Sequence, residues 1–238
     1  MKMAKSKIII FTFLLFSALT SFSPYYTGIE KLSATLISRQ VQNGQSVTIK
    51  GEIFYQRNGN LTTHFTYPKE YILLANSLGE TKVYDPLKNT VLQYQNFLFS
   101  TQTSQFYYFF SGKTYDMGLT NIGYVQEKTY YDNNLLVTEW KLKKSDTKAL
   151  IQKIKLVFDN QKPVYMDYRN LSDKIIRKVY YYNYTHLQEY DFPSVTTEII
   201  YNDKDSTVTK TSYDNFKVNE QTNSPYFNYS IPPNAKSE

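Results

Sequence analysis

Val47-Thr48-Ile49-Lys50-Gly51-Glu52-Ile53-Phe54-Tyr55-Gln56 changes chemical character at almost every step. Val47, Ile49, Gly51, Ile53 and Tyr55 fall on one side of an extended chain, and Thr48, Lys50, Glu52 and Gln56 on the other. That two-residue period is the pattern of a strand with one dry face. Arg57-Asn58-Gly59-Asn60 follows, and Asn-Gly is a strong signal for a tight hairpin turn. The return strand is expected over Leu61–Tyr67, ending at Pro68.

The same rhythm of alternation and turn runs through most of the chain. Strands are expected at residues 70–76, 81–84 and 90–94, separated by Ser77-Leu78-Gly79-Glu80 and Asp85-Pro86-Leu87-Lys88-Asn89. Further strands are expected at residues 124–131, 135–143, 153–158, 164–170, 175–184, 195–201 and 207–218, with a last short one at 227–231. Consecutive hairpins of this kind predict a mainly β chain folded as a strongly bent antiparallel sheet or an open barrel. One segment departs from the period. From Phe97 to Phe110 the aromatics suit a helix, with Leu98, Gln102, Phe106 and Phe109 or Phe110 on one stripe and Ser100 or Thr101 as its cap.

The first residues read as an export signal. Lys2, Lys5 and Lys7 precede an apolar run at 8–16 broken only by Thr12, and small residues follow at Ser17, Ala18, Ser21 and Ser23. A membrane span is the competing reading, but the run is shorter than the roughly 20 residues that cross a bilayer. The expected division is a signal peptide at 1–23 and one domain at 24–238, with cleavage nearer Thr20 or Ser21 left open because Pro24 follows Ser23. Cysteine is absent, so no disulfide forms and no thiol is present to carry an N-terminal lipid. The formal charge of +6 falls to about +3 without the three leader lysines, too little to require a nucleic-acid partner.

A search for chemistry finds no enzyme signature. His64 and His186 are the only imidazoles and have no second ligand at metal spacing. There is no nucleophile elbow and no phosphate-cradling glycine loop. A glycan hydrolase requires only two converging carboxylates, and Glu189, Asp191 and Glu198 are the candidates, though solvated surface acids account for them more simply. The run Arg177-Lys178-Val179-Tyr180-Tyr181-Tyr182-Asn183-Tyr184 has the elements of a stacking platform for single strands, yet a strand with tyrosine on both faces accounts for it more simply. No catalytic residue, metal or cofactor is expected.

What composition does show is an aromatic surplus: 24 Tyr and 15 Phe against 8 Gly and 1 Trp. A curved sheet has a concave face that something must cover. The segment ending at Phe110 makes one lid, and the rest of the hollow either takes a movable apolar ligand or is filled by the chain's own rings.

The order of motifs resembles the LolA family of periplasmic lipoprotein carriers. Ser33-Ala34-Thr35-Leu36-Ile37-Ser38-Arg39-Gln40, Lys50-Gly51-Glu52-Ile53-Phe54-Tyr55 and His64-Phe65-Thr66-Tyr67-Pro68 are similar to that family's opening hairpins. Ser77-Leu78-Gly79, Val83-Tyr84-Asp85-Pro86, Ser104-Gln105-Phe106, Phe158-Asp159-Asn160, Phe192-Pro193 and Phe227-Asn228-Tyr229-Ser230-Ile231-Pro232-Pro233 follow in the family's order, so that the likeness spans residues 32–234. The resemblance implies a half β-barrel, a single strongly curved antiparallel sheet with short helices covering its open side. It further implies a monomeric, non-enzymatic periplasmic carrier of acylated lipoprotein or other lipid cargo, loaded by an inner-membrane transporter and unloaded to an outer-membrane receptor. The expected cavity wall is Ile53, Tyr55, Phe65, Tyr67, Leu74 and Trp140, and the expected lid is Leu98, Phe106, Phe109 and Phe110. Where the family holds a lid-latching arginine, this chain has Thr62. A secreted interaction module that binds an envelope partner or polysaccharide through exposed tyrosines is the alternative reading.

Overall fold

The structure is a computed structural model that describes residues 28–95, 100–101, 104–144, 146–202 and 205–238. The expected signal peptide and Leu98 of the expected lid lie outside the described residues. The strands are β1 (Lys31–Gln42), β2 (Gln45–Gln56), β3 (Leu61–Tyr67), β4 (Tyr71–Ala75), β5 (Glu80–Asp85), β6 (Thr90–Gln95), β7 (Tyr124–Asp132), β8 (Leu135–Leu142), β9 (Lys153–Asp159), β10 (Lys162–Arg169), β11 (Ile175–Leu187), β12 (Tyr190–Tyr201), β13 (Ser206–Val218) and β14 (Lys236–Ser237). Among the described residues an α-helix, α1, spans Gln105–Phe110. The strands form one open, unclosed sheet in the order β14-β6-β5-β4-β3-β2-β1-β13-β12-β11-β10-β9-β8-β7. All neighbours are antiparallel except the short β14, which runs parallel to β6.

Turn chemistry explains the meander. Asn43 and Gly44, Asn133 and Asn134, and Asn160 and Gln161 each form a pair with positive φ. Two such residues in succession make the turn whose twist matches a hairpin, and asparagine tolerates that conformation better than most side chains. The abundance of asparagine is thus a property of the turns. The centre of the sheet is the long-range pairing of β1 with β13, from Leu32 opposite Val218 to Val41 opposite Val208. It joins two meander wings, β1 to β6 and β7 to β13.

Topology also places α1. β6 and β7 lie near opposite margins of the sheet, so the connection between them has to cross a face, and α1 is in that crossing. The crossing packs on the concave side. Ile53 and Tyr55 of β2 share a single core cluster with Trp140 of β8, together with Phe106, Phe109 and Phe110. β2 and β8 are seven places apart in the sheet, about 33 Å if it were flat. Strong curvature and the bridging helix bring them into one core.

The C-terminal segment behaves differently from its sequence pattern. A strand was expected at 227–231, but Pro225–Asn228 is a short 3-10 turn, with proline at its first positions and the Ser224 side chain accepting from the Tyr226 amide at 3.3 Å. This segment straps the convex face. Tyr226 stacks on Phe54 at 5.2 Å and on His64 at 4.4 Å, Tyr229 stacks on Tyr226 at 5.6 Å, and Gln56 donates to the carbonyl of Phe227. β12 also starts earlier than expected, at Tyr190, because Phe192 and Pro193 continue the strand where a connection was expected.

Candidate functional site

Opposed residues share a face of the sheet, so the register lists what lines the hollow. From the middle outward on the β1 to β6 wing, one concave row reads Ala34, Ile53, Thr63, Leu73, Val83 and Leu92. On the other wing, Trp140, Ile154, Tyr168, Arg177 and Ile200 form one row, and Thr138, Leu156, Met166, Val179 and Glu198 the next.

One end of this hollow is packed with the chain's own rings. Phe192 is fully buried and lies 5.0 Å from Phe106, 5.7 Å from Phe109 and 5.1 Å from Phe110 between ring centroids. Tyr55 reaches Phe106 and Phe110 from the opposite wing, and Tyr213 meets Phe106 edge to face. Burial pushes the phenols of Tyr55 and Tyr213 up to about 12, since an ionised ring there would lose its water. Of the two readings of the hollow, a movable ligand or filling by the chain itself, the filled one describes this end.

The lid is held mostly by these apolar contacts. Ser104 caps α1, its side chain accepting from the Tyr107 amide at 3.3 Å. Ser100 and Thr101, the expected caps, instead anchor the approach: they donate to the Ser77 carbonyl at 2.7 Å and the Gly59 carbonyl at 2.5 Å. From the helix to the sheet, Gln105 donates to the Pro193 carbonyl at 3.2 Å. Beyond α1 the chain turns at Gly118, whose φ is +78° and where an added Cβ would sit 2.5 Å from the Tyr108 ring. Gly118→Ala is therefore expected to destabilise the protein by about 1–3 kcal/mol. Denaturant unfolding measures this, and Tyr108→Ala in the same chain should recover the steric part of the loss.

Of the expected wall, Ile53, Tyr55 and Trp140 are in the core cluster beneath the lid, and Phe65 is half-buried on the same face. Two residues are corrected. Leu74 lies opposite Thr62 and Lys82, on the convex face, where it lines a cleft of about 260 Å³ beside Phe227 and Tyr229. Tyr67 is 53% exposed at the end of β3 under the Lys50 ammonium, because a register shift between Lys50 and Gly51 ends regular pairing there. Phe106, Phe109 and Phe110 are all buried on the hollow side, in the same core cluster.

Sequence reasoning missed Phe192, which read as part of a connection, and a charged pair. Arg177 donates to Glu198 inside the hollow, and its guanidinium lies 4.7 Å over the Tyr168 ring. Glu198 therefore faces the hollow, whereas Asp191 is on the other side of β12 and pairs with Lys162 at 3.0 Å and His186 at 3.1 Å. The two carboxylates do not converge. His64 bonds Glu70 at 2.8 Å against the strap. Among the described residues no group of three or more His, Asp or Glu is placed to hold a metal ion, and no helix is long and apolar enough to cross a membrane.

No family model matches the sequence, and no curated protein matches it by sequence. Solved structures do match the fold. A LolA superfamily protein from Nitrosomonas europaea superposes with a TM-score of 0.55 at 11% identity, over 85% of this chain and 91% of that one. The fold is LolA-like. An outer membrane lipoprotein-sorting protein domain from Vibrio parahaemolyticus gives a TM-score of 0.56 at 11% identity, over 86% of this chain and 91% of its own. A DUF1329 family protein from Desulfovibrio piger gives 0.54 at 11% identity, over 84% and 90%. Within this LolA-like sheet, Thr62 is buried on the convex face, away from α1, so an arginine there would not reach the lid. On β3 it is Leu61, Thr63 and Phe65 that face the hollow.

Proposed function

We propose that this chain is a monomeric, non-enzymatic carrier of the bacterial cell envelope that shelters acyl chains of a lipoprotein, or of another lipid, in its concave hollow. Exported by its N-terminal segment, it would take cargo from an inner-membrane transporter and pass it to an outer-membrane receptor. The observation that carries the reading is the construction of the lid. α1 has only six residues, too few to be stable alone, and it plugs the hollow with Phe106, Phe109 and Phe110. Burying three such rings is worth roughly 1.5–3 kcal/mol each, and a buried methylene about 0.8 kcal/mol. About 6 to 11 methylenes therefore offset the loss of all three rings from the hollow. An acyl chain of ordinary length is thus a thermodynamically adequate substitute for the plug, and the filled hollow is the empty-handed state of the carrier.

Protein purified from its native host and extracted with organic solvent should release acyl lipid detectable by mass spectrometry. A clean extract, together with no uptake of acyl chains in solution, would remove the carrier reading. It would favour an interaction module, for which the tyrosines of the margin strand β7 are the supporting observation: Tyr131 is 76% exposed and Tyr130 37%.

A further inference from the structure

The Arg177–Glu198 pair is out of place in a site for hydrocarbon alone. Both side chains face the hollow, beside Val179 and Ile200, and remain 41% and 30% exposed there. An apolar chain laid over them would strip water from two charges and return nothing, which is unfavourable. Two contacts fix the guanidinium. Tyr168 supports its plane, Glu198 takes the Nε edge, and among the described residues no side chain takes the Nη1 and Nη2 hydrogens. That outer edge keeps a fork of donors, on a side chain that stands on the concave face. Because Glu198 already balances the charge, the fork is matched to a neutral acceptor better than to a second anion, which would meet the carboxylate of Glu198 at short range.

Arg177 lies four residues along β11 from Tyr181, whose ring meets Phe109 of the lid, so the fork and the aromatic end are about 13 Å apart. Resting on the carrier reading, we infer that the hollow is a two-part site: acyl chain under α1, and an uncharged ester or amide carbonyl of the lipid head on the Arg177 fork. The ligand class is a neutral acyl ester or acyl amide, with free fatty acid disfavoured.

Competition of methyl laurate, laurate and dodecane against an apolar fluorescent dye bound to the full chain tests this. Methyl laurate is expected to bind about tenfold tighter than dodecane, the scale of one hydrogen bond to a charged donor. Arg177→Gln should abolish that preference while dodecane binding stays the same. Glu198→Gln has the opposite signature, because the uncompensated guanidinium then raises laurate affinity about tenfold or more. Because the two variants move different ligands, a folding defect common to both cannot imitate the result. Equal affinities for methyl laurate and dodecane, unchanged in either variant, overturn the fork and leave the carrier intact. Failure of the wild type to take up any of the three overturns both.

Discussion

Phe192→Ala lowers the stability of the folded chain by about 3–5 kcal/mol, the expected cost of emptying a fully buried aromatic site. The effect lies at the high end because Phe192 is the ring on which the lid converges. Phe106, Phe109, Phe110, Tyr213 and Phe216 all approach it within 6 Å between centroids. Truncation removes the apolar area of one ring and loosens five others, and β12 beneath is held by its neighbours on both sides and cannot collapse into the space. Equilibrium unfolding in urea measures the loss. A cost below about 1 kcal/mol would mean that the lid rings close the gap freely, and that the plug is not a packed one. The variant also separates lid from sheet. If α1 is held chiefly by these rings, limited proteolysis should cut near 104–123 in Phe192→Ala at denaturant levels that leave the strands intact.

Alkaline pH supplies the second large effect. Tyr55 and Tyr213 keep their protons up to about 12 in the folded chain, against an ordinary phenol value of 10.0, and burial is the main cause for both. Burial also raises Tyr181 well above that value. Between pH 10 and 12 the folded chain therefore holds protons that the unfolded chain has released, and stability falls as pH rises through this window. Below pH 10 both states are protonated at these rings and the contribution is fully present. Above about 12 each of Tyr55 and Tyr213 has given up roughly 2–3 kcal/mol. Unfolding free energy measured from pH 8 upward should be flat at these sites to pH 10 and then decline steeply. Tyrosinate absorbance from the buried set should appear together with unfolding. If the core phenols ionise while the chain stays folded, the hollow is wetter than its packing implies.

The strands were legible because alternation and turn chemistry are local properties: Val47 to Tyr55 and the Asn-based turns decide their own conformation. Faces were legible only where the register was regular. Ile53 and Tyr55 lie on the concave face, in the core cluster, but Leu74 lies on the convex one, since a single residue of offset between β3 and β4 exchanges the two faces. Tyr67 was displaced by the register shift opposite Gly51, which no sequence pattern marks. The C-terminal strap read as a strand because its aromatics alternate, and Pro225 with Ser224 was the signal that favoured a turn instead. Phe192 was hidden by the proline after it, which suggested a break in the sheet. Arg177 and Glu198 are 21 residues apart and meet only through the pairing of β11 with β12, so neither residue could announce the other.

The unjoined margins of the sheet, β7 on one side and β14 on the other, set a mechanical property of the whole molecule. A sealed barrel has its bore dictated by strand count and stagger. Here the seam is open, so small increments of twist at successive strand pairs can add up to a change in girth without breaking a backbone hydrogen bond. On the proposed carrier function, guests of different thickness would be accommodated by splaying the wall, with no need for a differently shaped pocket for each.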